Sequence, residues 1–159
     1  MVIYKKLEWF ELTAYEQMAK FEIGLDMGLL TLDELREFIN GALKQKEVPY
    51  IYTDVFLSLD KGQEEVINVI FYNLQGNYTA DRNACNTVQR SLIGIIRDKY
   101  RAGTIDKERC VELLHRLTDY SDGDWNLLSI DEYYKLNKTG YCSDADFEER
   151  LNGIFDIGI

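Results

Sequence analysis

Residues 31–43 read TLDELREFINGAL, and this stretch indicates the fold more directly than any other part of the chain. Thr31 precedes Glu34 by three positions, the spacing of a capping box in which a hydroxyl and a carboxylate bond reciprocal backbone amides. The apolar residues that follow recur at helical spacing, at Leu35, Ile39 and Leu43. The segment therefore predicts an amphipathic helix that begins just after Thr31.

The same two signals recur along the chain. Further capping boxes are predicted at Thr13 with Glu16 and at Ser129 with Glu132, and simpler caps at Asp60, Thr79, Thr104 and Ser143. Apolar stripes at helical spacing comprise Ala14, Met18, Phe21 and Leu25; Cys85, Val88, Leu92, Ile95 and Ile96; Cys110, Leu113, Leu114 and Leu117; and Phe147, Leu151 and Ile154. Residues 2–10 and 66–74 suit either a buried helix or a strand. We predict an all-α chain, one compact domain over residues 1–159 with about seven or eight helices.

A weak internal repeat accompanies these helices. The segment 31–36 matches 104–109 at an offset of 73 residues, and 54–61 matches 131–138 at an offset of 77. Two interpretations remain open. The halves 13–75 and 86–155 are related helical-hairpin units, as in stacked helical repeats, or helix starts simply resemble one another because Thr before Asp is a good cap.

Composition bounds the function. The 159 residues are 46% hydrophobic with a single proline, which predicts one globular domain, and the net charge of −10 argues against binding nucleic-acid phosphates. No apolar run approaches the ~20 residues of a membrane span, so we expect no membrane association and a cytoplasmic location. Because Cys85, Cys110 and Cys142 are odd in number and widely spaced, we expect reduced, metal-free thiols.

Catalytic and metal sites are not predicted. Glu112 and His115 have the spacing of a di-iron ligand pair, but such sites need two such motifs and this chain has one histidine. An EF-hand loop centred on Gly123 would place Thr118 and Ser129 where carboxylate ligands are required. Gly-rich phosphate loops are absent from the sequence. We therefore expect no cofactor, no metal and no enzymatic activity.

The distribution of charge suggests a protein partner instead. Residues 119–159 carry ten acidic side chains against three basic ones, together with seven of the twenty aromatics. Acidic groups beside large aromatics suit docking on a cationic surface. The predicted binding residues are Asp119, Asp122, Asp124 and Asp131 as charges, with Trp125, Tyr133 and Tyr134 as anchors. Trp125 lies in a predicted loop over 119–129, where it is either a partner anchor or a lid folded onto the core.

Basic residues concentrate earlier in the chain. Arg90, Arg97 and Arg101 share one face of a predicted helix. Two interpretations remain open for this face: it is solvated and forms ion pairs with the acidic C-terminal part, or it binds an anion or a partner. Either way, the charges of the chain are unevenly distributed along it.

In overall character the chain resembles the immunity proteins that bacteria encode beside polymorphic or contact-delivered toxins. The resemblance is carried by small size, acidity, many tyrosines, predicted helices, and the segments 122–126 (DGDWN) and 143–149 (SDADFEE). It implies a non-enzymatic inhibitor that binds a cognate toxin, often a basic nuclease, and blocks its active site. A helical-repeat adaptor is the alternative, and a carboxylate-dependent hydrolase is the least favoured class. The sequence leaves the oligomeric state open.

Overall fold

The computed structural model describes residues 12–74, 82–120 and 125–157. In these ranges the chain forms eight α-helices: α1 (Ala14–Asp26), α2 (Leu32–Ala42), α3 (Tyr50–Ser58), α4 (Gln63–Leu74), α5 (Arg82–Arg101), α6 (Lys107–Arg116), α7 (Trp125–Lys138) and α8 (Asp144–Ile157). Short 3₁₀ helices, Leu59–Lys61 and Leu117–Tyr120, follow α3 and α6. No strand occurs in the described ranges, so the all-α prediction is confirmed. Residues 66–74 belong to helix α4, and residues 2–10 lie outside the described chain.

Three of the predicted helix caps are confirmed. The amide of Glu16 donates to Thr13 Oγ1 and that of Glu34 to Thr31 Oγ1, each at 3.2 Å, and both carboxylates accept from the cap amide in return. Ser143 Oγ accepts the amide of Asp146 at 3.1 Å, directly before α8. Each cap satisfies an amide at a helix start that has no partner within the helix.

Three other predicted caps are wrong. The N-cap of α6 is Asp106, two residues after Thr104, and its carboxylate accepts the amide of Arg109 at 2.7 Å. Ser129 lies inside α7, because that helix already begins at Trp125. Asp60 lies in the 3₁₀ helix before α4, where it pairs with Arg36 at 3.2 Å. Thr79 lies outside the described residues.

The chain divides into two compact units, Met1–Val88 and Gln89–Ile159, with the boundary inside α5. In the first unit, α1 packs on α3 and α4, and α2 packs on α3. An aromatic cluster joins α1, α2 and α3: the Phe38 ring lies 5.2 Å from that of Phe21 and 5.5 Å from that of Tyr52. Gln63 links α4 to α1 by donating to the backbone oxygen of Leu25 at 3.2 Å.

In the second unit, α7 packs on both α6 and α8. The C-terminal end of α5 reaches α8, since the Tyr100 ring lies 6.3 Å from the Phe155 ring. The largest side chains without exposed surface on α8 are Phe147 and Phe155. Burying them removes a large apolar area from water, and this burial is the main favourable contribution to packing α8.

One turn geometry joins helices in three places. Gly28, Gly103 and Gly140 follow α1, α5 and α7 with φ of 77°, 76° and 84°, a left-handed conformation that favours glycine. In each turn the amide after the glycine bonds a carbonyl five residues earlier, and the glycine amide bonds a carbonyl three residues earlier. The third residue after each glycine is the cap of the next helix: Thr31, Asp106 or Ser143.

The burial pattern that follows these turns also recurs. Positions four, eight and eleven after each cap are buried, namely Leu35, Ile39 and Ala42; Cys110, Leu114 and Leu117; and Phe147, Leu151 and Ile154. Thr31 is thus structurally equivalent to Asp106, 75 residues later, and the offset of 73 that paired it with Thr104 is wrong for this turn. Duplication of the two halves stays a hypothesis.

Among the described residues, no helix combines the length and the apolar character that crossing a lipid bilayer requires.

Candidate protein-binding surfaces

The predicted binding residues occupy different environments in the second unit. Asp119 is exposed in the 3₁₀ helix after α6. Asp131 is partly exposed on α7 and pairs with Lys135 at 3.3 Å, so a basic neighbour already offsets its charge. The same pairing raises the pKa of Lys135, mainly through the hydrogen bond to Asp131. Of these two carboxylates, Asp119 is the one without an ion pair inside the described chain.

The two predicted tyrosine anchors make contacts within the unit. The ring of Tyr134 lies 5.9 Å from the Phe147 ring, which is fully buried, so Tyr134 contributes to the packing of α7 on α8. The Arg150 guanidinium lies 3.6 Å from the centre of the Tyr133 ring and covers one of its faces. A partner would have to use the other face of Tyr133 or displace Arg150.

The predicted loop over 119–129 is shorter than the sequence suggested. Leu117–Tyr120 is a 3₁₀ helix and Trp125 is the first residue of α7, so both ends of the segment are helical. Asp122 and Asp124 lie outside the described residues, as does the side chain of Trp125. The interpretations of Trp125 as anchor or lid therefore both stay predictions.

Helix α8 carries an acidic face that was not among the predicted site residues. Asp146, Glu149 and Asp156 are exposed at spacings of three and seven residues, opposite the buried stripe of Phe147 and Leu151. Within the described chain these three carboxylates form no ion pair or hydrogen bond through their side chains. The sequence contained the signal, because the apolar stripe after Ser143 fixes which residues point outward.

Gly153 lies within this acidic face. A Cβ atom added there would meet no atom of the described chain within 4 Å, so packing against these residues does not explain a glycine in the middle of α8. A glycine in a helix interior lowers stability by about 1 kcal/mol relative to alanine. It also leaves the helix backbone accessible to another molecule at this position.

Other carboxylates of α8 are engaged in contacts that hold the helices together. Asp144 accepts from Asn137 at 2.8 Å and from Lys107 at 3.4 Å, and these bonds lower its pKa, with Asn137 the larger cause. Glu148 accepts the hydroxyl of Tyr100, whose pKa is raised by burial and by that bond. These two acidic residues are internal structural partners rather than free docking charges.

The basic face predicted on α5 is largely engaged as well. Arg97 is mostly buried and pairs with Asp98 at 3.1 Å. Arg101 donates to Asn152 at 3.3 Å, and its guanidinium lies 5.6 Å from the Phe155 ring. Arg90 is exposed. Arg101 thus contacts the C-terminal helix as the first interpretation expected, but through an amide and a ring rather than a carboxylate.

Across the described ranges, no three His, Cys, Asp or Glu side chains are grouped so that they could hold a metal ion. Glu112 bonds Arg109 at 2.9 Å, which engages one member of the Glu112–His115 pair. Cys110 is fully buried, and this burial raises its pKa to about 12, so its thiolate is scarcely populated at neutral pH.

Comparisons with protein-family models, with curated proteins and with solved structures find no match to this chain. The second unit offers the α8 acidic face, defined as Asp146, Glu149 and Asp156, with the exposed carboxylate of Asp119 on the same unit.

Proposed function

We propose that this chain is a non-enzymatic inhibitor that binds a cationic protein in the cytoplasm, in the manner of an immunity protein that neutralises a toxin. The observation that carries the proposal is the α8 acidic face, whose three carboxylates are exposed and have no basic partner in the described chain. A basic nuclease fits this chemistry, because its active site is built to receive phosphate charges.

The physical argument concerns both rate and fit. A surface of one sign steers a partner of opposite sign and raises the association rate, most strongly at low salt. Carboxylates fixed along a rigid helix are held at set spacings, so little order has to be imposed on the backbone when the partner binds. Asp122, Asp124 and Trp125 remain predicted contributors, with the aromatic side chain expected to slow dissociation.

A helical-repeat adaptor is the second candidate, and a specific observation favours it. Three helix–turn–helix connections share the same glycine, the same cap position and the same buried stripe. Stacked helical hairpins of this kind often present extended surfaces to other proteins. An adaptor would bind its partner without changing the partner's activity, whereas an inhibitor would abolish it.

The test begins with affinity capture of a partner from extracts of the native host on the immobilised chain. We expect a basic protein whose enzymatic activity is lost on adding one equivalent of the chain. The double variant Asp146→Lys with Glu149→Lys should slow association by about tenfold at low salt. The double variant Glu37→Lys with Glu47→Lys, exposed in the first unit, alters the net charge equally and should leave the rate nearly unchanged.

The outcomes separate the candidates. A partner that keeps full activity in the complex favours the adaptor and rejects the inhibitor. Equal slowing by both double variants would mean that total charge, rather than the α8 acidic face, drives association. If neither pair changes the rate, the interface lies elsewhere on the chain.

A further inference from the structure

The first unit carries a cluster of exposed apolar side chains. Five of the ten large hydrophobic residues exposed in the described chain lie on α3 and α4: Tyr50, Phe56, Leu57, Phe71 and Tyr72. Three of them are highly exposed, with 75% of Tyr50, 65% of Leu57 and 70% of Tyr72 accessible. Single exposed hydrophobics are common, but five of them on two helices that pack together make this helix pair a candidate interaction surface. We call these five residues the α3–α4 face.

Two carboxylates accompany the aromatic residues on α4. Glu64 and Glu65 are exposed in its first turn, and no basic group of the described chain pairs with them. Glu64 precedes Phe71 by seven residues, and Glu65 precedes Tyr72 by the same interval. Seven residues make about two helical turns, so each carboxylate lies on the same side of α4 as an aromatic ring about 10 Å away.

This arrangement has a complementary ligand. An amphipathic helix with apolar residues on one stripe, and Lys or Arg two turns away, places its apolar groups on the aromatic rings and its cations on Glu64 and Glu65. A second copy of this chain is a poorer occupant. Its net charge is −10, and its own carboxylates would add to the repulsion.

We propose that the α3–α4 face binds a cationic amphipathic helix of a partner protein. This site is in the first unit and does not depend on the α8 acidic face or on inhibition of a toxin. The apolar contacts provide most of the affinity, because removing exposed aromatic and leucine surface from water is favourable. The two carboxylates select a basic helix over an acidic one.

The probe for this proposal is a synthetic Leu–Lys peptide of about 18 residues, five helical turns, with lysines two turns from leucines. A Leu–Glu peptide of the same pattern is the charge control. Binding to the full chain is measured by fluorescence anisotropy. We expect the Leu–Lys peptide to bind, and Leu57→Ser with Tyr72→Ser to weaken it by at least about tenfold. Glu64→Gln with Glu65→Gln should weaken it severalfold and reduce its salt dependence.

Tyr141→Ser is the matched control, since Tyr141 is 85% exposed but belongs to the second unit. The proposal would be overturned if Tyr141→Ser weakened binding as much as the α3–α4 variant does. It would also be overturned if the Leu–Glu peptide bound as tightly as the Leu–Lys peptide, or if the Leu–Lys peptide did not bind. Sedimentation equilibrium tests whether a second copy of the chain occupies the face instead. If the wild-type chain is a dimer and the double variant Leu57→Ser with Tyr72→Ser is a monomer, the α3–α4 face is a contact between copies of the chain. That result would also overturn the proposal. All variants change exposed side chains, and circular dichroism verifies that each remains helical.

Discussion

Replacing Glu22 by Gln should stabilise the protein at pH 8. Glu22 lies on α1 and is half-buried, and its pKa is raised from the ordinary 4.5 to about 7 by burial, with a smaller contribution from the negative charge of Asp26. The folded state therefore holds a proton that the unfolded state releases at lower pH. The contribution of Glu22 to stability is therefore most favourable below pH 4.5, falls as the pH rises towards 7, and levels off above it.

The magnitude follows from the same difference in pKa. Without screening by solvent, this difference in pKa corresponds to about 3 kcal/mol of unfolding free energy. Because the carboxyl group keeps substantial access to water, screening lowers the expected effect to about 1–2 kcal/mol. Glutamine has nearly the same shape and never ionises. Its advantage over Glu22 should therefore be about 1–2 kcal/mol at pH 8 and a few tenths of a kcal/mol at pH 5.

Urea unfolding followed by circular dichroism at pH 5 and pH 8 measures both values. The control is Glu65→Gln, an exposed carboxylate in the same unit, which should change stability by less than about 0.5 kcal/mol at either pH. A Glu22→Gln protein that is no more stable than wild type at pH 8 would refute the reasoning. So would a gain that does not depend on pH.

The remaining predictions concern the second unit. Phe147→Ala should lower the free energy of unfolding by about 3–5 kcal/mol, because this fully buried ring contacts Tyr134. A loss below about 1 kcal/mol in urea unfolding would contradict its place in the core. Gly153→Ala should raise that free energy by about 1 kcal/mol, since the new Cβ atom meets open space, and a lower melting temperature would count against this. In a Cys85→Ser background, a thiol reagent should modify partly exposed Cys142 in the native protein and leave buried Cys110 unreacted until unfolding, as mass spectrometry can test.

The positions of the helices could be predicted because their signals are local. A cap such as Thr31 and the carboxylate of Glu34 lie three residues apart, so their bonding is decided by the sequence of a single turn. The errors at Thr104 and Ser129 have the same origin. Both residues begin a local sequence that suits a helix cap. After the turn at Gly103, however, the cap is Asp106 rather than Thr104. Ser129 lies inside a helix that already begins at Trp125.

The candidate surfaces were less predictable, because availability depends on partners far away in the sequence. Glu148 and Asp144 belong to an acidic stretch, yet Tyr100 and Lys107 engage them from 48 and 37 residues earlier. Composition counts such carboxylates as free charge, whereas packing shows which of them are already bonded. Both the composition and the packing are needed to separate the unpaired acidic side chains on the outer face of α8 from the bonded ones.

Spacing and composition were enough to predict the helical class, the caps at Thr13 and Thr31, most positions of the buried stripes and the excess of negative charge. Which apolar residues remain outside the core depends instead on contacts between helices. Tyr52 and Tyr72 are the same residue type on neighbouring helices, but Tyr52 packs against Phe38 while Tyr72 stays 70% exposed. That difference comes from how α1 to α4 pack together, which no local pattern specifies.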